Sequence, residues 1–311
     1  MNYLLVIAAI LIALPVLLYV VSPAILYRQF QKALRRKGRL VQKSVRVDGA
    51  EWPYLEGGPA DGDVIVFVHG FGADKDSWSF AAHHFTDKYR MIAPDLPGFG
   101  ESDVSTERDY SIAAQTGRLI QFLDAMGIEK CHVAGNSMGG FIALQAALDH
   151  GHRLTTLTLV NNAGVTGANE SELQKLVTEG QNPLVVRKPS DIDQLMSFVA
   201  HKPRPIPGQF KKVMFNEAKG REALLDKIFL AIAQDSLENP VNDRLHEVTC
   251  PTLIIWGRHD RLIDVSAVDV LKARIKGSEA VVFDHLAHVP MIEDPQAFAD
   301  AHLSFLARTA R

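Results

Sequence analysis

The chain has 311 residues, of which 47% are hydrophobic, enough apolar material for one large α/β domain, alone or with an insertion. Lys and Arg number 33 against 36 Asp and Glu, a net charge of -3. With no basic helix interleaved with aromatics, that balance argues against a nucleic-acid partner. Cys131 and Cys250 are the only cysteines. Both open apolar runs, without the spacing of a disulfide framework or a zinc site.

The N-terminus departs most from an ordinary enzyme sequence. Residues 3–21 are all apolar or aromatic with one proline, Pro15, and no charged side chain precedes Arg28. A helix rises about 1.5 Å per residue, so this run and its flanks reach roughly 30 Å, a hydrocarbon core. Basic residues follow from Arg28 to Arg46, and the first acidic one is Asp48. Positive charge marks the cytoplasmic side, so we expect an N-out, C-in transmembrane anchor. The alternative is export through an N-terminal signal. That needs a basic stretch before the apolar run and a small-residue cleavage site, and Ser22-Pro23-Ala24 is a poor one. Ile25, Leu26 and Phe30, with the basic residues, suit an amphipathic extension along the headgroups.

Residues 40–47 and 52–55 read as short strands. Residues 64–68 form a continuous apolar run ending in His69-Gly70, the pattern of a strand buried on both faces of a parallel sheet. Residues 78–85 are helical in character, 90–94 a strand, and 112–126 a helix stopped by Gly127. A strand at 131–134, a helix at 138–148 and a strand at 154–160 follow. The alternation resumes with strands at 252–256 and 280–283 and a helix at 295–306. These eight strands and their helices predict a mostly parallel, doubly wound sheet with helices on both faces. Between Val160 and Thr252 only helix-like stretches occur, at 170–178, 191–199, 209–218 and 221–234. They read as a helical cap. The expected organisation is 1–39 as anchor and basic juxtamembrane segment, 40–163 with 247–311 as core, and 164–246 as cap.

Gly135-Asn136-Ser137-Met138-Gly139 lies between an expected strand and an expected helix. The glycines permit a tight turn and close helix–strand approach, leaving Ser137 Oγ exposed on a strained backbone. A serine hydroxyl needs a base, and the base an orienting acid. Among 12 histidines, His288 sits in the loop after the last strand, at the end of the sheet that faces a ligand crevice. His285 competes but follows the strand too closely. Asp260 stands just past strand 252–256, after Gly257-Arg258-His259, and is the expected acid. Asp264 is the alternative and reads better as a turn or helix-cap carboxylate. The expected oxyanion donors are the backbone N–H groups of Met138 and of Phe71, in His69-Gly70-Phe71-Gly72. His69 reads as a structural hydrogen-bonding residue, and the loop Asp95-Leu96-Pro97-Gly98-Phe99-Gly100 as a structural turn. No His-Glu-x-x-His or similar spacing occurs, so neither metal nor cofactor is expected.

Together with Trp256-Gly257-Arg258-His259-Asp260 and His288-Val289-Pro290, these motifs resemble the α/β-hydrolase superfamily from about Val64 to the C-terminus. The order Ser137, Asp260, His288 is the one found there. Within it the chain resembles membrane-anchored monoacylglycerol lipases and related bacterial lipases and esterases, through the apolar N-terminal run, Asp74-Lys75-Asp76-Ser77-Trp78 and Asp264-Val265-Ser266. The resemblance implies an α/β-hydrolase fold, and hydrolysis of carboxylic esters of small molecules or lipids through an acyl-enzyme on Ser137. The expected location is a bacterial inner membrane, crossed once, with the catalytic domain on the cytoplasmic side. Hydrolysis of a carbon–carbon bond in ring-cleavage products is the alternative, with Arg187, Lys188 or Arg204 as a carboxylate clamp. A catalytically dead, membrane-tethered binding protein is a third. Ala287 replaces the glycine common before the catalytic histidine, and Val289 the tryptophan frequent after it in carbon–carbon hydrolases.

Overall fold

The computed structural model describes residue 3, residues 17–238 and residues 241–309. Most of the apolar run expected to span a membrane, residues 4–16, lies outside the described residues. Among the described residues no helix is long and apolar enough to cross a membrane.

Eight strands form one sheet in the order β1-β2-β4-β3-β5-β6-β7-β8. They are β1 (Val41–Val47), β2 (Ala50–Gly57), β3 (Val64–Val68), β4 (Arg90–Pro94), β5 (Cys131–Asn136), β6 (Leu154–Val160), β7 (Thr252–Gly257) and β8 (Glu279–Phe283). β2 runs antiparallel to β1 and β4, and the pairs from β4 through β8 are parallel. The apolar runs fill the centre because a parallel strand flanked by helices has no solvent face. Chain order reverses beside β3, which pairs with β4 on one side and β5 on the other. Such a reversal opens a crevice past the carboxyl ends of the strands.

Helices cover both faces. Helices α3 (Ile112–Ala125) and α4 (Met138–Asp149) bury Leu119, Phe122, Phe141 and Ile142 in one core. On the other face, Trp78, Phe85 of α2 (Ala82–Phe85), and Phe298 and Phe305 of α11 (Pro295–Thr309) pack against Phe67 and Leu253. The helical stretch expected at 78–85 is a 3-10 turn, Lys75–Trp78, followed by α2. Asp74 caps that turn by accepting from the Asp76 N–H.

The segment between β6 and β7 carries α5 (Glu172–Thr178), α6 (Asp191–Val199), α7 (Gly208–Ala218) and α8 (Glu222–Glu238), with no strand among its described residues. At the N-terminus α1 (Pro23–Lys37) buries none of its residues. It leans on α7 through Tyr27 and Phe210, with rings 5.7 Å apart. Arg35 holds it to the core through both carboxylate oxygens of Asp76. Two helices were not expected, α9 (Ala267–Arg274) and α10 (Pro290–Glu293). α9 has only weak apolar periodicity, and α10 is a single turn started by Pro290.

Candidate active site

Ser137 follows β5, all of whose residues are buried, and precedes α4. Its backbone is left-handed, φ 55° and ψ -119°, costly for a residue with a Cβ. Three backbone bonds fix it there. Its N–H donates to Val160 O at 3.0 Å, and its carbonyl accepts from Phe141 and Ala163. The motif glycines are required by close approach. A Cβ on Gly135 would meet Gly139 O at 2.2 Å, and one on Gly139 would meet Val68 O at 2.3 Å.

Asp260 leaves β7 in a turn closed by its own N–H on Gly257 O. Its carboxylate is buried and accepts four hydrogen bonds. Oδ1 takes the N–H groups of Leu262 and Ile263, at 2.8 and 3.1 Å. Oδ2 takes Asn161 Nδ2 at 2.7 Å and His288 Nδ1 at 2.8 Å. With Nδ1 donating to the carboxylate, a neutral His288 ring has Nε2 free to accept a proton, the tautomer a general base needs. Among the described residues the side-chain hydrogen bond seen at the His288 ring is to Asp260, not to Ser137 Oγ. The two sites are nonetheless adjacent. Asn136, the residue before Ser137, donates from Nδ2 to His288 O at 3.0 Å and to Val160 O at 3.1 Å.

The loop after β3 lies against the serine. A Cβ on Gly70 would fall 3.1 Å from Ser137 Cβ. Phe71 follows Gly70 in this loop, and its ring meets Phe99 and Phe229, each 5.7 Å away edge-on. Met138 opens α4, so its N–H has no partner within the helix. These are the two places from which oxyanion donors were expected.

The competing residues sit elsewhere. His285 is exposed and reaches Asp294 at 3.1 Å. Asp264 accepts from the Ser266 N–H, a turn carboxylate. Fully buried His69 bridges backbone, with Nδ1 on Gly70 O at 2.8 Å and Nε2 accepting from Leu96 N–H at 3.0 Å. Burial lowers its pKa, which keeps it neutral. Asp95 is structural too, binding Lys75 and the Glu101 N–H. Of the clamp candidates, Arg187 is paired with both oxygens of Asp226. Among the described residues no group of three or more His, Cys, Asp or Glu is placed to hold a metal ion.

Several supporting residues had no role in the sequence reading. Asn161 and Asn136 grip the acid and the histidine loop. Glu293 accepts from Ala287 N–H at 2.8 Å and His201 N–H at 2.7 Å. The only signal for Asn161 was an asparagine, tolerant of left-handed backbone, directly after a buried strand. A Cβ on Gly257 would strike Ala287 O at 2.0 Å.

The sequence pattern of the alpha/beta hydrolase fold matches residues 63–295. Lipase 1 of Psychrobacter immobilis is 33% identical over 273 residues, 87% of this chain and 86% of that protein. Monoacylglycerol lipase abhd6-B of Xenopus laevis is 29% identical over 263 residues, 81% of this chain and 77% of its own length. The crystal structure of a membrane phospholipase A, described as a bacterial virulence factor, superposes with a TM-score of 0.90 at 36% identity over all of both chains. A meta-cleavage product hydrolase from Pseudomonas fluorescens is more distant, at 24% identity and TM-score 0.75, covering 86% of this chain and 97% of its own. The resemblance to lipases and monoacylglycerol lipases read from the motifs is borne out.

Proposed function

We propose, from the premise that this chain belongs to the alpha/beta hydrolase fold family, that it is a serine ester hydrolase of lipids, with a long-chain monoacylglycerol as its first candidate substrate. Ser137 is the nucleophile, His288 the base and Asp260 the acid that orients it. His288 Nε2 takes the Ser137 proton as Oγ attacks the ester carbonyl. Asp260 steadies the imidazolium, and the N–H groups of Phe71 and Met138 hold the oxyanion. His288 then protonates the departing alcohol, and water releases the acid. The observation that carries this reading is the 2.8 Å bond from His288 Nδ1 to the buried Asp260, one asparagine bridge away from a serine on a left-handed turn.

The proposed organisation is a hydrolase core of residues 40–163 and 247–311, a cap of 164–246 and an anchor of 1–39. The apolar run 3–21 crosses a bacterial inner membrane once, with the enzyme on the cytoplasmic side. What supports this is the length of the run and the basic residues Arg35, Arg36 and Lys37 ending α1. The carbon–carbon hydrolase alternative is weakened by Arg187, whose guanidinium is occupied by Asp226.

The test is turnover of p-nitrophenyl esters of graded chain length, with fluorophosphonate labelling. A long-chain optimum and labelling that Ser137→Ala abolishes are expected, with turnover falling roughly 10⁶-fold in that variant. A fall of less than about tenfold would refute the nucleophile, since losing it removes the whole covalent route.

A further inference from the structure

Where β6 ends, the chain makes a left-handed step at Asn161, φ 47°, with the residue wholly buried. A non-glycine residue pays strain in that region, and asparagine pays least. The step turns the side chain into the site. Nδ2 donates to Asp260 Oδ2 at 2.7 Å and to Ala287 O at 3.3 Å. The flipped amide would set its oxygen against a carboxylate and a carbonyl, so the partners fix which atom is nitrogen. Backbone bonds hold the residue in place. Its N–H donates to Ile255 O at 3.0 Å, and two residues on, Ala163 N–H binds Ser137 O. Asn161 thus touches the acid and the residue before the base, on the same turn that pins the nucleophile.

We infer that Asn161 is a positioning residue that sets the Asp260–His288 pair, holding Oδ2 toward the imidazole and the histidine loop at its working distance. The inference rests on the triad reading above. Two effects follow. The donor stops the carboxylate from turning about its last torsion, so Nδ1 always meets the same oxygen. It also makes Oδ2 a shared acceptor, with Asn161 Nδ2 at 2.7 Å and His288 Nδ1 at 2.8 Å.

The test uses Asn161→Asp and Asn161→Gly, which both tolerate a left-handed backbone. The readouts are the pH profile of kcat/KM on a soluble ester and the downfield proton resonance of His288 Nδ1–H. In Asn161→Asp a carboxylate replaces the donor. The acid limb should move up by about one pH unit or more, with the resonance titrating in step. In Asn161→Gly, kcat should fall about ten- to hundredfold with KM little changed, the loss of one hydrogen bond to a charged group. A folded aspartate variant whose acid limb and resonance match the parent overturns the inference, as does a folded glycine variant with parental kcat. A parent protein that neither hydrolyses esters nor takes a phosphonate sinks the triad reading instead. The resonance then still decides whether Asn161 governs the Asp260–His288 pair.

Discussion

The backbone N–H of His288 donates to the carbonyl oxygen of Val199 at 3.1 Å, tying the proposed base to the last residue of α6. Glu293 makes the second tie, with Oε1 on the Ala287 N–H and Oε2 on the His201 N–H. The histidine loop is therefore tied to the chain at and just past the end of α6. Glu293→Ala removes both acceptors and leaves the buried Ala287 N–H without its acceptor. Misplacing a reacting group by about 1 Å can cost 10²-fold, so we expect turnover to fall about ten- to hundredfold. Phosphonate labelling of Ser137 should slow in proportion. Unchanged kinetics would show that the tie does not set the base.

Gly139→Ala and Gly117→Ala should act in opposite directions. The added methyl at 139 would lie 2.3 Å from Val68 O and 2.4 Å from His69 O, both backbone atoms unable to swing away. Helix α4 must then lift from β3, shifting the Met138 N–H from its proposed place at the oxyanion. We expect loss of about 10²-fold or more in turnover, the scale of one oxyanion donor. Gly117 sits inside helix α3, and a methyl there meets nothing within 4 Å. Alanine at 117 should stabilise the protein by about 0.5–1 kcal/mol. Denaturation midpoints and turnover of the two variants check both expectations.

What the sequence disclosed and what it withheld follow the reach of the interactions involved. The parallel strands were legible because burial on both faces leaves an apolar run such as residues 64–68. The turn at Ser137 was legible because it requires glycine at fixed local positions. Strand β2 came out longer than its apolar run, since Ala50 and Glu51 join it by pairing with Val47 and Arg46 of β1, a cross-strand fact without local signature. The same holds at the site. Asn161 is 99 residues from Asp260 and 126 from Ala287, so nothing in its neighbourhood announces its partners. Lys75 read as a marker of resemblance, whereas its side chain is buried against Asp95.

That buried pair supports a stability prediction. Lys75 Nζ lies 2.6 Å from Asp95 Oδ2, with the two side chains 1% and 0% exposed. Burial works against the ammonium, but the charge and hydrogen bond of Asp95 outweigh it and raise the lysine pKa. Replacing one partner strands the other. Lys75→Met leaves the carboxylate with only the N–H groups of Lys75's own position and Glu101. The expected loss is about 3–5 kcal/mol, the usual cost of breaking a buried pair from one side. Lys75→Met/Asp95→Asn should recover part of it, because no uncompensated charge remains. Urea unfolding of the three proteins is the measurement, and a single variant as stable as the parent would contradict the argument.

A histidine outside the site bears on acid stability. His302 lies in α11, fully buried among Phe67, Phe85 and Phe298, with Nε2 3.1 Å from Thr158 Oγ1. Burial, reinforced by His132, lowers its pKa to about 3. The unfolded chain regains an ordinary value near 6.5. Between those two values the unfolded state binds a proton that the folded state refuses. Stability must therefore rise with pH across that window, and fall on acidification from about 6.5, by up to about 1.4 kcal/mol per pH unit for one such group. His302→Leu removes the proton uptake on unfolding at that position. At neutral pH the variant loses only packing and the Thr158 bond. Between pH 6 and pH 4 its unfolding free energy should change less steeply than the parent's, by close to one proton's worth. Parallel slopes for the two proteins would mean that the ring is protonated in the folded state, against the apolar packing around it.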